Sequence, residues 1–521
     1  MKNHMLIFFL LCLCLSDPIF VSVNALNNNV CSWYTPCNFE RAKSEIKNYD
    51  FIRIMDKEIS KPHDLEKLRN LFTFAMSKNC IVCGERTIIN GSQYRPVGLA
   101  LIYANGVDEA KIKNFVFTEF KSTILCAKSS IKISFSHCEF HKNHVSDSLG
   151  LITSSHGTLK IRKCQIWNNL IHDSYFIGVF TSQFYIKNTE IANNFIFSEA
   201  QCFVYSVNSL TEYHNASFSR MVSLENPLLK FDFRSYFSGI SSNFALNNVR
   251  EIMICDGVCN FEFVGMNIRN NQGVLFTATS PNPKLSIQFG KISHNNAGNK
   301  PLFDMKNGQF VTTNPTRFIG NTALCFVDFH NSQSLFDISN AKFTRNTFSS
   351  HLLTTNTFSS VRLINSFFVS NFAPNGLFIS DFTSYEIDNT VFLNNFGQVL
   401  NCQKCGGFIY ASTFEGNSKP PIDVDTTPEG KLLIFSSQFF STPIHEGEAM
   451  IHINGTHIIG FTRFSVPETE AIAKHNLCYL CEYNQRQKGL YHRKTIMIST
   501  IGSFFVIALL IILLFHSCFK K

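Results

Sequence analysis

The chain has 521 residues, 46 Lys and Arg against 38 Asp and Glu for a formal net charge of +8, and charged residues form only 16% of it. No block of Lys and Arg carries interleaved aromatics, so nucleic acid is excluded as the expected partner. The mild basic excess fits attraction to acidic glycans or cell surfaces.

The chain opens with MKNHMLIFFLLCLCLSDPIFVSVNA. A short basic start, an apolar run from Met5 to Leu15 and Val23-Asn24-Ala25 as a cleavage site predict a secretory signal peptide over 1–25; the run is too short to span a membrane. Residues 26–98 differ in texture from the rest of the chain. Within them HDLEKLRNLFTFAMSKN has helical spacing, with Leu65, Leu68, Phe72 and Met76 on one face. The expected role of 26–98 is an N-terminal cap over raw strand edges.

From 99 to 465 one phrase recurs, a Phe followed three residues later by Asn. Its copies are Phe140/Asn143, Phe244/Asn247, Phe318/Asn321, Phe343/Asn346, Phe368/Asn371, Phe392/Asn395 and Phe414/Asn417. Ile takes the Phe place at Ile166/Asn169, Ile191/Asn194, Ile268/Asn271 and Ile292/Asn295, and degenerate copies fall at Phe218 and Phe439. A repeat of about 25 residues indicates a solenoid; helical repeats are longer, and the phrase of a leucine-rich repeat is missing. SLFDISNAKFTRN, SVRLINSFFVSN and SYEIDNTVFLNN alternate apolar and polar residues before the turn, as strands do. A second apolar stretch comes after the Asn, as in GVLFTA, PLFDMK, LCFVDF and GLFISD, with turn formers between. The fold predicted is all-β, a parallel β-helix of about 14 coils, with each Phe stacked inward at roughly 4.8 Å from its equivalents. Each Asn is expected to end its strand, to adopt or tolerate the left-handed conformation, and to bond its neighbours from coil to coil. Two residues before nearly every anchor lies a small residue, from Cys138 and Cys164 to Thr390 and Ser412, with Met266 the large member, as a crowded inward corner requires.

These Phe-x-x-Asn repeats resemble the polymorphic membrane protein (Pmp) family of chlamydiae and the Pmp-like surface proteins predicted in parasitic protists. The resemblance spans residues 100 to 465 and implies a right-handed, pectin-lyase-like β-helix displayed at a surface. The family's Gly-Gly-Ala-aliphatic phrase is reduced here to QGVLF, NGLFI and CGGFI, and the exporting β-barrel that ends chlamydial members has no counterpart.

After the coils, 466–494 reads as a Cys-containing juxtamembrane stalk. Ile496 to Phe515 is uninterrupted apolar sequence of spanning length, so a transmembrane helix is expected over 495–515 and a short cytosolic tail over 516–521. Arg486, Lys488, Arg493 and Lys494 precede this helix and Lys520 and Lys521 come after it, which by charge alone favours the opposite orientation. The signal peptide decides the topology, giving a single-pass type I protein of the plasma membrane whose one lipid partner is the bilayer around that helix.

Three sequons, at Asn90, Asn215 and Asn454, are candidate glycosylation sites. Of 18 cysteines, Cys12 and Cys14 belong to the leader and Cys518 to the tail, leaving 18 − 3 = 15 in an oxidising compartment, where disulfides are expected. Local pairs are Cys31/Cys37, Cys80/Cys83, Cys255/Cys259, Cys402/Cys405 and Cys478/Cys481. Cys138 and Cys164, one coil apart, either bridge adjacent coils or stack as reduced core residues. No metal and no cofactor is expected.

A catalytic β-helix would need paired acids on neighbouring coils. Asp423 with Asp425 and Glu446 with Glu448 are the close pairs in sequence, and His156 lacks partners. No catalytic residue is assigned. The function expected is adhesion, ligand binding or surface coating, toward an extracellular protein or glycan, without catalysis. The alternative is a membrane-tethered carbohydrate-active enzyme of the polysaccharide lyase or glycosidase type.

Overall fold

The computed structural model describes residues 18–465, apart from short segments at 27–28, 49, 96–98, 147, 280–281, 307, 330–333, 356–358, 427–430, 441–448 and 455–456, together with the backbone of the strand Cys478–Tyr483. The predicted transmembrane helix, the cytosolic tail and nearly all of the stalk lie outside these residues, as does the leader up to residue 17. Among the described residues no helix is long and apolar enough to cross a membrane.

The body is a parallel β-solenoid of about 14 turns. Its anchors stack in one column: Phe117, Phe140, Ile166, Ile191, Phe218, Phe244 and Ile268 pair successively, and the series continues through Ile292, Phe318, Phe343, Phe368, Phe392, Phe414 and Phe439 to Phe464. Phe117 and Phe464 extend the predicted series by one coil at each end. No helix of the described residues falls between 120 and 460, and each coil repeats the same order of strands. A strand such as Ser360–Ile364 precedes the three-residue anchor strand Phe367–Val369, and the second apolar stretch, Gly376–Asp381, closes the turn on the other side. The anchor rings lie nearly parallel, 4.5 Å apart for Phe318/Phe343 and 4.6 Å for Phe414/Phe439. Such contacts add about 1 kcal/mol per pair beyond the area buried.

Beside the ring column runs a ladder of buried asparagines. The amide of Asn295 donates to Oδ1 of Asn321 at 3.0 Å, Asn321 to Asn346 at 2.9 Å, Asn346 to Asn371 at 2.9 Å and Asn371 to Asn395 at 3.0 Å. The second N–H of each amide goes to an anchor carbonyl of the preceding coil, as from Asn321 to Ile292 at 3.0 Å. Each Oδ1 also accepts a backbone N–H from that coil, as Asn321 Oδ1 does from Asn295 at 3.1 Å. An amide has two donors and two acceptor sites, and all four are filled. Met221 occupies one rung of the column, where the Asn194 amide meets its sulfur at 3.4 Å.

The expectation that the Asn itself takes the left-handed turn is corrected. The residue before it does so: Lys142, Asn168, Asn193, Arg220, Leu246, Arg345 and Asn394 have φ between 52° and 60°. A left-handed Asn would swing its amide out of the ladder. The preceding residue turns instead, at a position where side chains face solvent. The small column is polar as well as small, since Ser242, Ser366 and Ser412 accept backbone N–H bonds from the coil before at 3.2 Å each.

The predicted cap helix spans Pro62–Ser77 and buries Leu65, Leu68, Leu71, Phe72, Ala75 and Met76. Residue 98 is not a boundary between cap and coils, however. Phe51–Ile54 pairs in parallel with Ile81–Asn90, and that strand with Glu109–Thr118, so the stack already begins inside 26–98, in rungs that lack the Phe-x-x-Asn phrase. Residues just before the expected leader boundary at 25 are built into the sheet. Ile19–Val21 pairs with Ile52–Ile54, Val21 is fully buried, and Asp56 accepts from the Ser22 hydroxyl at 2.7 Å and the Val23 N–H at 2.9 Å. Cleavage after Ala25 would remove a rung of the sheet.

This packing has two testable outcomes. Asn321→Ala strands the Asn295 N–H and one N–H of the Asn295 amide, takes the side-chain donor from the Ile292 carbonyl, leaves Asn346 Oδ1 with only the residue-321 backbone N–H, and is expected to cost about 4 kcal/mol, with amide-exchange protection lost in the coils on either side of it. Amino-terminal sequencing of the exported protein is expected to read a start at or before Pro18, and a chain engineered to start at Leu26 should lose about 4 kcal/mol through exposure around Ile19 and Val21, visible as a lower thermal midpoint.

Candidate ligand groove

Several cations on the flanks of the solenoid are neutralised between coils. Lys132 reaches Glu109 at 2.5 Å and Lys111 reaches it at 3.1 Å, and the Lys132 hydrogen bond holds the Glu109 carboxyl below the usual carboxylate range. Arg86 pairs with Glu139 at 3.0 Å, Lys230 with Asp256 at 3.2 Å, and Arg362 sits between Asp337 at 3.6 Å and Glu386 at 3.1 Å.

One place differs. At the N-terminal end, two adjoining clefts of about 640 and 540 Å³ share Ser92 and Lys121. The first is completed by Tyr94, Arg95, Ser122, Ser146 and Ser148, and the second by Glu119, Lys142, His144, Asn168 and Leu170. The ladder places these residues. Asn143 Oδ1 accepts the Phe120 N–H at 2.9 Å, and the His144 N–H donates to the Phe120 carbonyl at 2.7 Å, so Glu119 and Lys121 sit one rung below Lys142 and His144. Lys142 and Asn168 are left-handed corner residues, with φ of 55° and 52°, and present their side chains outward. Gly91 lets the chain pass the Phe120 ring, where a Cβ would come within 2.5 Å, and the next turn bonds the Tyr94 N–H to the Gly91 carbonyl at 2.9 Å. Among the described residues no ion pair joins Arg95, Lys121 or Lys142 to a carboxylate.

Two hydroxyls in this groove are unusual. Tyr94 is 6% exposed and packs edge-on against Phe120 with centroids 6.0 Å apart, yet its phenol oxygen has no hydrogen-bond partner among the described residues, and neither has Ser122 Oγ. Burial, with the charge of Glu66 adding to it, pushes the Tyr94 phenol up, so it stays protonated as a donor. Beyond the groove the aromatic rim continues as His144, His172 and Phe197, the last two stacked at 4.0 Å.

The residues weighed for catalysis lie elsewhere and apart. Asp423 bonds His452 of the next coil at 2.8 Å, Asp425 is two residues along the same strand, and His156 sits at an exposed corner. Glu446 and Glu448 lie outside the described residues. An acidic pair one coil apart is not visible in the sequence pattern: Asp304 and Asp328 stand opposite each other in register, with Thr277 below and Thr354 above. Aligning PLFDMK with LCFVDF on the rung rather than on the anchor would have found it. Among the described residues no three His, Cys, Asp or Glu side chains converge as a metal site requires.

Of the sequons, Asn215 and Asn454 are exposed and Asn90 is half-buried, accepting the Ser92 N–H at 2.9 Å. Disulfides join Cys31 to Cys37, Cys255 to Cys259 and Cys402 to Cys405. The expected Cys80–Cys83 bridge is absent, and both thiols are buried. Cys83 lies inside the strand Ile81–Asn90, where three residues of extended chain span about 10 Å, too far for a bridge. Cys138 and Cys164 are unbridged and stacked, the Cys138 N–H donating to the Cys164 sulfur at 3.4 Å. The side chains of Cys478 and Cys481 lie outside the described residues.

No protein-family model matches the chain, and no curated protein does. Among solved structures it is similar to tailspike protein 3 of bacteriophage CBA120, at 7% identity and a TM-score of 0.28 over 89% of this chain, and it spans 61% of that tailspike. It is also similar to PfbA, a surface adhesin of Streptococcus pneumoniae, at 8% identity and a TM-score of 0.24 over 66% of this chain and 88% of that one. A PL6 alginate lyase crystallised with a trisaccharide gives 9% identity and a TM-score of 0.24 over 91% and 90%. At these scores none of the three transfers a residue or a ligand to this chain.

One titration can be read from the coil flank above Asp328. Burial holds the His351 imidazole down to about 4, beside the hydroxyls of Ser350 and Thr354. The unfolded chain takes up this proton near pH 6.5 and the folded chain only near 4, so stability is expected to fall as pH drops between these values. Urea midpoints at pH 7 and pH 5 should differ more for the native chain than for His351→Gln.

Proposed function

We propose that this chain is a type I, membrane-anchored surface glycoprotein whose β-solenoid engages an extracellular ligand without transforming it. The observation that carries this reading is the N-terminal groove, where Arg95, Lys121 and Lys142 form no ion pair among the described residues, Glu119 lines the same cleft, and the buried hydroxyls of Tyr94 and Ser122 lack partners among the described residues. Such a surface favours holding a ligand. The inward columns are fully accounted for by packing and by the asparagine ladder. The resemblance to Pmp-like surface proteins supports the same display.

A second reading, a tethered carbohydrate-active enzyme, is favoured only by the Asp304/Asp328 stack. Two carboxylates on adjacent rungs stand at roughly the separation used by retaining glycosidases.

The display is tested in a glycosylating eukaryotic host. Protease added to intact cells should digest the protein, removal of N-linked glycans should lower its apparent mass, and a chain ending before Ile496 should appear in the medium. Persistence of the full-length chain under protease would overturn the topology. Release of new reducing or unsaturated ends from polysaccharides by the native chain, lost in Asp304→Asn, would replace the binding reading with the enzymatic one.

A further inference from the structure

We infer that the groove between Arg95 and Lys142 is a binding site for a linear acidic polysaccharide, one bearing carboxylate or sulfate groups. This rests on the proposed ligand-binding function and names the ligand class. Lys121 and Lys142 lie on successive rungs, because Thr118 pairs with His141 and so aligns Glu119 with Lys142 and Lys121 with His144. Arg95 extends the cationic line on the adjoining cleft. Lys142 stands opposite Glu119 and Lys121 opposite His144, so the two lysines lie on a diagonal, one rung and two residues apart, along which a linear chain with recurring charges can run.

Ser92, Tyr94, Ser122, Ser146 and Ser148 line the cleft between the cations, with the Tyr94 and Ser122 hydroxyls closed off beneath its surface. The Tyr94 phenol is the decisive one. A buried donor without a partner costs free energy, and a ligand oxygen reaching it would supply the missing acceptor. A simple charge patch for nonspecific attraction would need no such group.

Other polyanions fit less well. An acidic peptide bound in extended form would seek a free sheet edge for its backbone, whereas these strands are paired above and below within the stack. A single-stranded nucleic acid would seek ring faces on which to stack its bases, but the rings of the rim stack on each other, His172 on Phe197 at 4.0 Å and 15°.

The test uses the full chain in detergent after enzymatic removal of N-linked glycans, since a sugar on Asn90 would stand two residues from Ser92. Binding is measured to heparin, polygalacturonate, neutral dextran, polyglutamate and single-stranded DNA at two salt concentrations. Binding to heparin or polygalacturonate, not to dextran, is expected. The variant combining Arg95→Gln, Lys121→Gln and Lys142→Gln should bind at least about tenfold more weakly. Tyr94→Phe keeps the ring against Phe120 and removes only an unpartnered hydroxyl, so its thermal midpoint should be unchanged or raised while its affinity falls about threefold or more. Unchanged affinity in the triple variant, unchanged affinity in Tyr94→Phe, or equal binding to polyglutamate or DNA would each overturn the inference. Surface display with no polysaccharide bound would sink this assignment and leave the proposed display intact; cleavage of a bound polysaccharide would keep the site and sink the non-catalytic reading.

Discussion

A buried primary amide is tolerable only when both donors and both acceptor sites are used, and the asparagine ladder meets that condition by repetition. Each amide is completed by the coil before it and the coil after it, never by its own coil alone. The period of the chain is therefore tied to hydrogen bonding: a coil that gained or lost a residue between anchor and Asn would leave polar groups unpaired in an apolar interior. The phenylalanine column sets the spacing and carries the area buried, while the ladder fixes which residue faces inward at the corner.

This division of labour leaves the outside of the coil free. The left-handed residue before each Asn can be Lys, Arg, His, Leu, Ser or Gly because its side chain leaves the stack. Surface chemistry then varies from rung to rung without altering the fold. Some rungs pair opposite charges across coils from their strands, as Arg362 does with Asp337 and Glu386. In the first coils Lys132 and Arg86 are paired in this way, whereas Arg95, Lys121 and Lys142 are not, and these sit over the start of the ladder, at the rung where Phe120 takes the Asn position and the Tyr94 ring packs against it.

Much of this was legible in the chain. The anchors from Phe140 to Phe439 gave the register rung by rung, because inward residues are constrained by packing and by polar satisfaction together. The coils below Phe140 were hidden for the same reason: Phe117 has Phe120 where the phrase requires Asn, and Ile81–Asn90 has no anchor phrase at all. The Asp304/Asp328 pair and the groove were hidden differently. Their residues are 20 or more apart in sequence and point outward, where no periodic constraint marks them. Cys80 and Cys83 misled because proximity in sequence implies proximity in space only where the chain turns, and here it runs extended.

Met221 gives the solenoid two electrical halves. Hydrogen-bonded amides in series polarise one another, each strengthening the next. A thioether accepts weakly and donates nothing, so the series from Asn143 to Asn194 and the series from Asn247 to Asn417 are polarised separately, joined at that rung by the Met221 backbone N–H on Asn247 Oδ1 at 3.0 Å. If the rod is tethered at its C-terminal end and its ligand is held near Lys121, a pull between them crosses this rung. The one rung of that column between Asn143 and Asn417 without a side-chain amide thus separates the coils that line the groove from those beyond it.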